Sequence, residues 1–528
     1  MEHLEMRKKV LIMAAVMSAM FFSALNMTIV GTSLPKIVAE IGGMEYFNWV
    51  FTIYALTSSI TAALVGKLSD IYGRKIFILT GIGIFMVGGL LSGFSDSIFE
   101  LIIYRGIQGF GGGMVMSTAF TTVGDLFSPR ERGRWQGMMS GVFGLSSLFG
   151  PTLGGYIVDN LDWSWVFWVF LPIGFIAFFM ILKLYPQAPQ KEKEKVDYLG
   201  SFLLAMVILT LLLGFSWAGT EYAWNSIEII GLFIASAVSL AFFIVVESRV
   251  KSPVVPLQLF KNKIVTVSNL VSFFSGMGMF GVIMYAPFYV QGVLGQSATA
   301  SGLVEMVMTI SMVAFSALSG QLITRTGKYK KIGLVGFTVM AIGIFLNSRL
   351  MPDAALSMMI FNLVLTGIGL GMTMPIFTLT VQNAVDHKYL GVATATSQLF
   401  RQTGGTIGVA IMGYVMSSRM SAKLAETKLP SIPEGALGDV NIHNPQILMN
   451  HEAVAQLKTA VPADLLPLLD QLILSLKDAL NYSLTQVFLL CTVLVVAAFV
   501  LTLFLKEIPL RTSNEGPKPV KEAVKNIG

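Results

Sequence analysis

The sequence predicts an all-α integral membrane protein of fourteen transmembrane helices, and three observations carry that reading. First, only 12% of the 528 residues are charged and 54% are hydrophobic, against roughly 25% charged in a water-soluble globular chain. Second, cutting the chain at every Asp, Glu, Lys and Arg leaves fourteen uncharged runs of 17 residues or more, and a helix needs about 20 such residues to cross a bilayer. Third, alternating the loops from a cytoplasmic N-terminus places 27 Lys and Arg with 13 Asp and Glu inside, and 7 with 16 outside. This bias follows the positive-inside rule, and a miscounted span would invert it. The net charge of +6 therefore reflects topology and needs no nucleic-acid partner.

In order, the runs are 10–35, 46–66, 76–95, 106–124, 135–158, 163–182, 198–220, 229–246, 264–304, 306–324, 332–348, 354–385, 402–418 and 479–505. Arg7, Lys8 and Lys9 precede the first, which is too long for a secretion-signal core and stays as a span. Run 264–304 holds one span and then a turn, marked by Gly292, Gly295, Gln296, Ser297, Thr299 and Ser301. The sizeable external segment is 417–481. Leu465, Leu468, Leu469, Leu472, Ile473 and Leu476 recur there at helical spacing, predicting a short amphipathic helix on the outer mouth. The tail 506–528, with Pro509, Pro517 and Pro519, is expected to be disordered in the cytoplasm.

An internal repeat organises the spans. Residues 66–75 (GKLSDIYGRK), after span two, are echoed by 320–328 (GQLITRTGK), after span ten, each with two glycines seven apart and a cation next. Span four (Arg105, Gly106, Ile107, Gln108, Gly109, Phe110, Gly111) is echoed by span twelve (Thr366, Gly367, Ile368, Gly369, Leu370, Gly371). The chain thus divides into a six-helix bundle at 1–185, an inserted pair of spans with flanking loops at 186–263, and a second six-helix bundle at 264–505. Parallel halves related about the membrane normal are a transporter architecture.

These residues resemble the fourteen-span drug:proton antiporter branch of the major facilitator superfamily. The loop 66–75, Arg105 with Gln108, Gly109 and Gly111, and Gly150-Pro151-Thr152-Leu153-Gly154-Gly155 in span five carry the match. Thr28, Ile29, Val30 and Pro35 in span one, 163–174, and Arg401, Gln402, Gly404, Gly405 and Gly408 in span thirteen extend it. The resemblance implies two major facilitator bundles plus an inserted pair, in the plasma membrane with both termini cytoplasmic. It further implies a monomer without a cofactor, driven by the proton gradient. Such a protein exports small amphipathic, cationic drugs by a rocker-switch movement.

Charge inside the spans is the sharpest functional signal, because a charged side chain at mid-membrane costs at least a few kcal/mol. Arg105, Glu305 and Arg401 are the three such residues. A proton-driven exchanger needs a carboxylate that alternates between protonated and ionised forms, and Glu305 is the acid available. It is read as the proton carrier, in a positive field from Arg105 and Arg401. Many relatives carry Asp in span one where this chain has Asn26, which does not titrate but can hydrogen-bond Arg105.

Gating is assigned to Gly66, Asp70, Gly73 and Arg74, with Asp70 latching onto a cation or helix N-terminus of the facing bundle. Thr324 takes the place of the acid in the second copy. Pro151 bends span five, while Gly150, Gly154 and Gly155 admit a partner helix across the bend. By analogy with the superfamily, spans one, four, nine and twelve line a central pocket. Its candidates are Gln108, Met116, Phe120, Phe273, Phe274, Met277, Phe280, Tyr285, Met372, Met374, Phe377 and Gln382. Flexible Met and Phe side chains suit varied amphiphiles; a lipid-like amphiphile, exported or flipped, is the competing substrate.

Other classes fit less well. His3, His387, His443 and His451 lie outside the spans, so no intramembrane His-metal or His-nucleophile set is expected, and no metal site. No phosphate-binding G-x-x-x-x-G-K-[ST] motif occurs. The chain is not read as an enzyme.

Overall fold

The computed structural model describes residues 4–43, 46–186, 196–219, 221–427 and 465–510. Its helices are α1 (Met6–Ile41), α2 (Phe47–Tyr72), α3 (Arg74–Ser92), α4 (Ile98–Leu126), α5 (Pro129–Asn160), α6 (Leu171–Leu184), α7 (Tyr198–Trp217) and α8 (Ile227–Glu247). They continue as α9 (Lys263–Phe288), α10 (Ala298–Thr326), α11 (Lys330–Asn347), α12 (Leu356–Ala384), α13 (Leu390–Glu426) and α14 (Leu466–Leu503). A short helical turn, Trp165–Trp168, leads into α6. Twelve helices are long and apolar enough to cross a membrane, among the described residues. The long helices α4 and α13, which carry Arg105 and Arg401, are not in that set.

Local chemistry sets where helices begin. Ser97, Asp197, Ser226 and Ser297 each accept a hydrogen bond from the backbone N–H three residues on, satisfying a donor that the first helical turn leaves free. Pro129 starts α5 without wasting an N–H, and Glu131 reaches back to the Ser128 N–H. The turn expected within 264–304 lies between α9 and α10, where Gly295 takes φ +64° and Ser297 caps α10.

Packing joins α1 to α4, α5 and α6, and α4 to α2 and α3. A second set joins α12 to α10 and α11, and α9 to α13 and α14. Helices α7 and α8 pack on each other, and α7 leans on α2 and α13 through an apolar layer that includes Leu204, Ile208, Leu212 and Leu56. Two seams run between the sets: α2 against α13, and α5 against α10.

Two expectations change near the C-terminus. The leucine stripe from 465 to 476 forms no separate amphipathic helix. Leu469, Leu472 and Leu476 share one buried stripe with Leu480 and Leu484, so the segment continues into the last span as the 38-residue α14. Residues 428–464 of the expected external segment lie outside the described residues. The start of the tail is ordered: Glu507 accepts the N–H groups of Tyr329 (2.8 Å) and Lys330 (3.1 Å) at the start of α11. The Ile508 N–H donates to the Tyr329 hydroxyl at 2.9 Å. Residues 511–528 lie outside the described residues.

Candidate functional site

The first seam is built from the loop at 66–75. Gly73 adopts φ +91°, which lets α3 begin one residue after α2 ends. That tight corner holds Asp70 and Arg74 against the start of α13. Asp70 accepts the N–H groups of Gly391 and Val392, both at 3.2 Å, so its charge meets the positive end of α13. Arg74 pairs with Asp70, donates to the Ser69 hydroxyl, and reaches Asp125 Oδ2 at 3.1 Å. His387 Nε2 stands 3.4 Å from the other Asp125 oxygen. A Cβ on Gly391 would overlap the Gly66 carbonyl, so the two helices touch backbone to backbone.

On the second seam, Arg130 at the start of α5 donates to the carbonyls of Thr324 (3.0 Å) and Arg325 (3.1 Å) in the last turn of α10. A Cβ on Gly320 would overlap the Gly133 carbonyl, and one on Gly137 would press on Ser316. Deeper in, Gln136 donates to Gln382 Oε1 at 3.1 Å, while Gln382 donates to the Phe120 carbonyl at 3.3 Å and to Thr394 Oγ1 at 3.0 Å. Gln382 thus ties α12 to α4, α5 and α13, where pocket lining was expected. Its amide makes three hydrogen bonds to protein groups, both amide N–H groups among them.

Arg105 has no exposed surface. It donates to Asn26 Oδ1 at 2.8 Å and Gln108 Oε1 at 2.6 Å, and its guanidinium lies 4.4 Å from the centre of the Tyr54 ring. Its Nε and Nη2 groups find no acceptor, and neither does the Gln108 amide nitrogen find a partner. Of the twelve pocket candidates, Gln108 is therefore a ligand of Arg105.

Arg401 faces a small cavity walled by Ser272, Ser275 and Met279 of α9, Leu370, Thr373, Met374, Phe377 and Thr378 of α12, and Ser397 of α13. Two candidates, Met374 and Phe377, are there. The others are dispersed. Met116 and Phe120 join the core with Ile12 and Val16, and Phe274 and Tyr285 join that of the second set. Met277 and Phe273 form the backbone surface under Gly408 and Gly404. The Phe280 ring lies over Gly405, and Met372 lines a separate groove with Phe315 and Arg325.

Glu305 sits in the second turn of α10, half-buried, with Oε1 shielded from solvent and unpartnered. No hydrogen bond or ion pair links it to Arg105 or Arg401 among the described residues, so the three interior charges do not form one cluster. In α5, Gly150 meets Thr28 of α1, whose hydroxyl donates to the Ser146 carbonyl at 3.0 Å. Gly154 is buried, but Gly155 has open space where a Cβ would go, so the close approach expected at this motif is centred on Gly150. Pro151 lies within α5, and its side chain is outside the described residues.

Asp125, Arg130, Gly391 and the hydroxyls around Arg401 were not singled out from sequence. A signal for Gly133 is present, since it follows Arg130 and Arg132 at the start of α5; Gly391 has none.

The family pattern described as Major Facilitator Superfamily matches residues 16–409. The chain is 38% identical to the multidrug transporter protein MdtP of Bacillus subtilis (strain 168), over 98% of this chain and 96% of that protein. It is 34% identical to multidrug resistance protein 3 of the same organism, over 94% and 95%. Its backbone is similar to that of the proton:xylose symporter XylE, with a TM-score of 0.59 at 14% identity and coverage of 96% of this chain and 98% of that one. With helices in this order and a family match over most of its length, the chain belongs to the Major Facilitator Superfamily.

Proposed function

We propose that this protein is a proton-coupled exporter of small amphipathic compounds, working by alternating access. In this reading α1–α14 are fourteen spans in the plasma membrane, with both termini cytoplasmic. Residues 1–185 and 264–505 are the two rocking bundles, 186–263 an inserted pair that rides on α2 and α13, and the working unit is a monomer. The relatives named for multidrug transport support the substrate class.

The observation that carries the mechanism is the pair of seams. Polar latches between the halves, Asp70 on Gly391 and Val392 and Arg130 on Thr324 and Arg325, lie at the same basic end of the helices. Closing one end with few, local contacts leaves a two-state arrangement that a substrate or proton can bias. Glu305 serves as proton carrier: unlike Asp70 and Asp125, which stand in the last turns of α2 and α4, it lies inside its helix, and its shielded oxygen lacks a partner that would hold it ionised.

The test is efflux of several unrelated amphipathic dyes from cells, with and without a proton uncoupler, for the unmodified chain and Glu305→Gln. The expected result is uncoupler-sensitive efflux that falls about tenfold in Glu305→Gln. Efflux indifferent to both treatments would overturn the coupling.

A further inference from the structure

The two interior guanidinium groups differ in what surrounds them. Arg105 is enclosed by the oxygens of Asn26 and Gln108 and the face of Tyr54, and no part of it is exposed. Arg401 is half-buried, makes no side-chain hydrogen bond among the described residues, and borders a cavity. No Asp or Glu lines that cavity. A charge at this depth is rarely left without a partner unless something else supplies one.

The cavity's hydroxyls point the same way. On α12 and α13, Thr366, Thr380, Thr394 and Thr396 donate back to a carbonyl of the preceding turn, the usual fate of a hydroxyl inside a helix, and so does Thr373 in the cavity wall. Among the described residues, Ser275, Thr378 and Ser397 make no such bond, although they line the cavity with Arg401. Free O–H donors around an unpaired guanidinium make a site that attracts an oxyanion and repels a cation. Met374 and Phe377 add apolar side chains to the same wall.

We infer that this cavity binds the anionic head group of the transported compound, a carboxylate, phosphate or sulfonate on an apolar body. The inference rests on the export reading above and replaces the cationic substrate expected from the family resemblance. The cavity encloses only about 20 Å³, so its walls part to admit the head group; the guanidinium then meets two oxyanion oxygens at once, the hydroxyls hold the remaining lone pairs, and the apolar body lies along Phe377. Bidentate contact of this kind is specific to planar or tetrahedral oxyanions.

The experiment uses the full chain in phosphatidylcholine nanodiscs, titrated with 11-(dansylamino)undecanoate and with its methyl ester, followed by dansyl fluorescence. The acid is expected to bind about tenfold more tightly than the ester. Arg401→Gln removes that preference and leaves ester binding in place, which also reports an intact fold; Arg401→Lys restores part of it. Thr378→Val combined with Ser275→Ala, which keeps the guanidinium, lowers acid binding by a smaller factor. Dodecyl phosphate competes with the acid, whereas dodecyltrimethylammonium does not. Equal binding of acid and ester, an undiminished preference in Arg401→Gln, or competition by inorganic phosphate as strong as by dodecyl phosphate would each overturn the assignment. Carboxylate binding that depends on Arg401, without gradient-driven efflux of any dye, would keep this site and discard the export reading. Uncoupler-sensitive efflux of cationic dyes, without carboxylate binding, would do the reverse.

Discussion

At 66–75 the first glycine lies against Gly391 of α13 and the second takes φ +91°; at 320–328 the first lies against Gly133 of α5 and the second takes φ +68°. The steric design of the two copies is the same. Their charges are opposite: Asp70 meets the N-terminus of α13, whereas the second copy presents the C-terminal carbonyls of α10 to Arg130. Both arrangements oppose a side-chain charge to the helix end of opposite polarity. They differ in burial, since the Asp70 side chain is 7% exposed and Arg130 is exposed. Low dielectric strengthens the first and water screens the second.

The largest expected effect follows from that difference. Asp70→Asn removes the charge from two backbone hydrogen bonds and from the Arg74 pair, and bonds to charged groups are worth about 1.5–3 kcal/mol each. Losing one such increment shifts the closed-to-open balance by roughly ten- to a hundredfold. Transport should fall by at least that order while the protein still reaches the membrane, and a cysteine introduced in the loop 66–75 should react faster from the basic side. Full transport in Asp70→Asn would break the comparison.

Next come the glycines. Gly391→Ala and Gly320→Ala each place a methyl group against a carbonyl of the facing helix, so each should hold its seam apart and slow transport severalfold. If the seams close as one rigid-body movement, the two variants should be similar in effect, because the contacts are sterically alike. A strong loss in one and none in the other, in the same vesicle assay, would mean that the seams move separately.

Much of this architecture is legible in sequence, for a physical reason. Lipid forces each span to be a long uncharged run, and the basic bias of alternate loops orders them. The repeat was legible because glycine is demanded twice by backbone approach and twice by positive φ. What was not legible depends on contacts between distant segments. Arg130 reads as one of three arginines in a basic loop, and only the fold brings it to Thr324. Gln382 reads as a polar pocket residue until its partners on three helices are seen. The stripe from Leu465 to Leu476 has the spacing of a surface helix, and its fusion with the last span rests on the shared buried face.

A smaller effect is expected at the exposed latch. Arg130→Gln loses the charge but keeps donors for the Thr324 and Arg325 carbonyls, and an exposed charge at a helix end contributes about 0.3–1 kcal/mol. Transport should drop by no more than about fivefold, and the loss should shrink further at high salt. In the Asp70→Asn background the same change should add its small increment, because the two latches share no partner.

The smallest effect tests why the second copy has Thr324 where the first has an acid. Thr324 sits in the last turn of α10, and its hydroxyl donates to the Gly320 carbonyl at 2.9 Å. An aspartate there would lose that bond and stand among carbonyl oxygens at the negative end of its own helix, which costs about 0.3–1 kcal/mol. Attraction to Arg130 would offset part of this, by an amount typical of an exposed ion pair, about 0.2–1 kcal/mol. Thr324→Asp should therefore leave transport within about twofold of the unmodified chain. A gain comparable in size to the loss in Asp70→Asn would show that the copies are interchangeable as acid latches. The polarity of the facing helix end, and not the loop motif alone, would then no longer explain their difference.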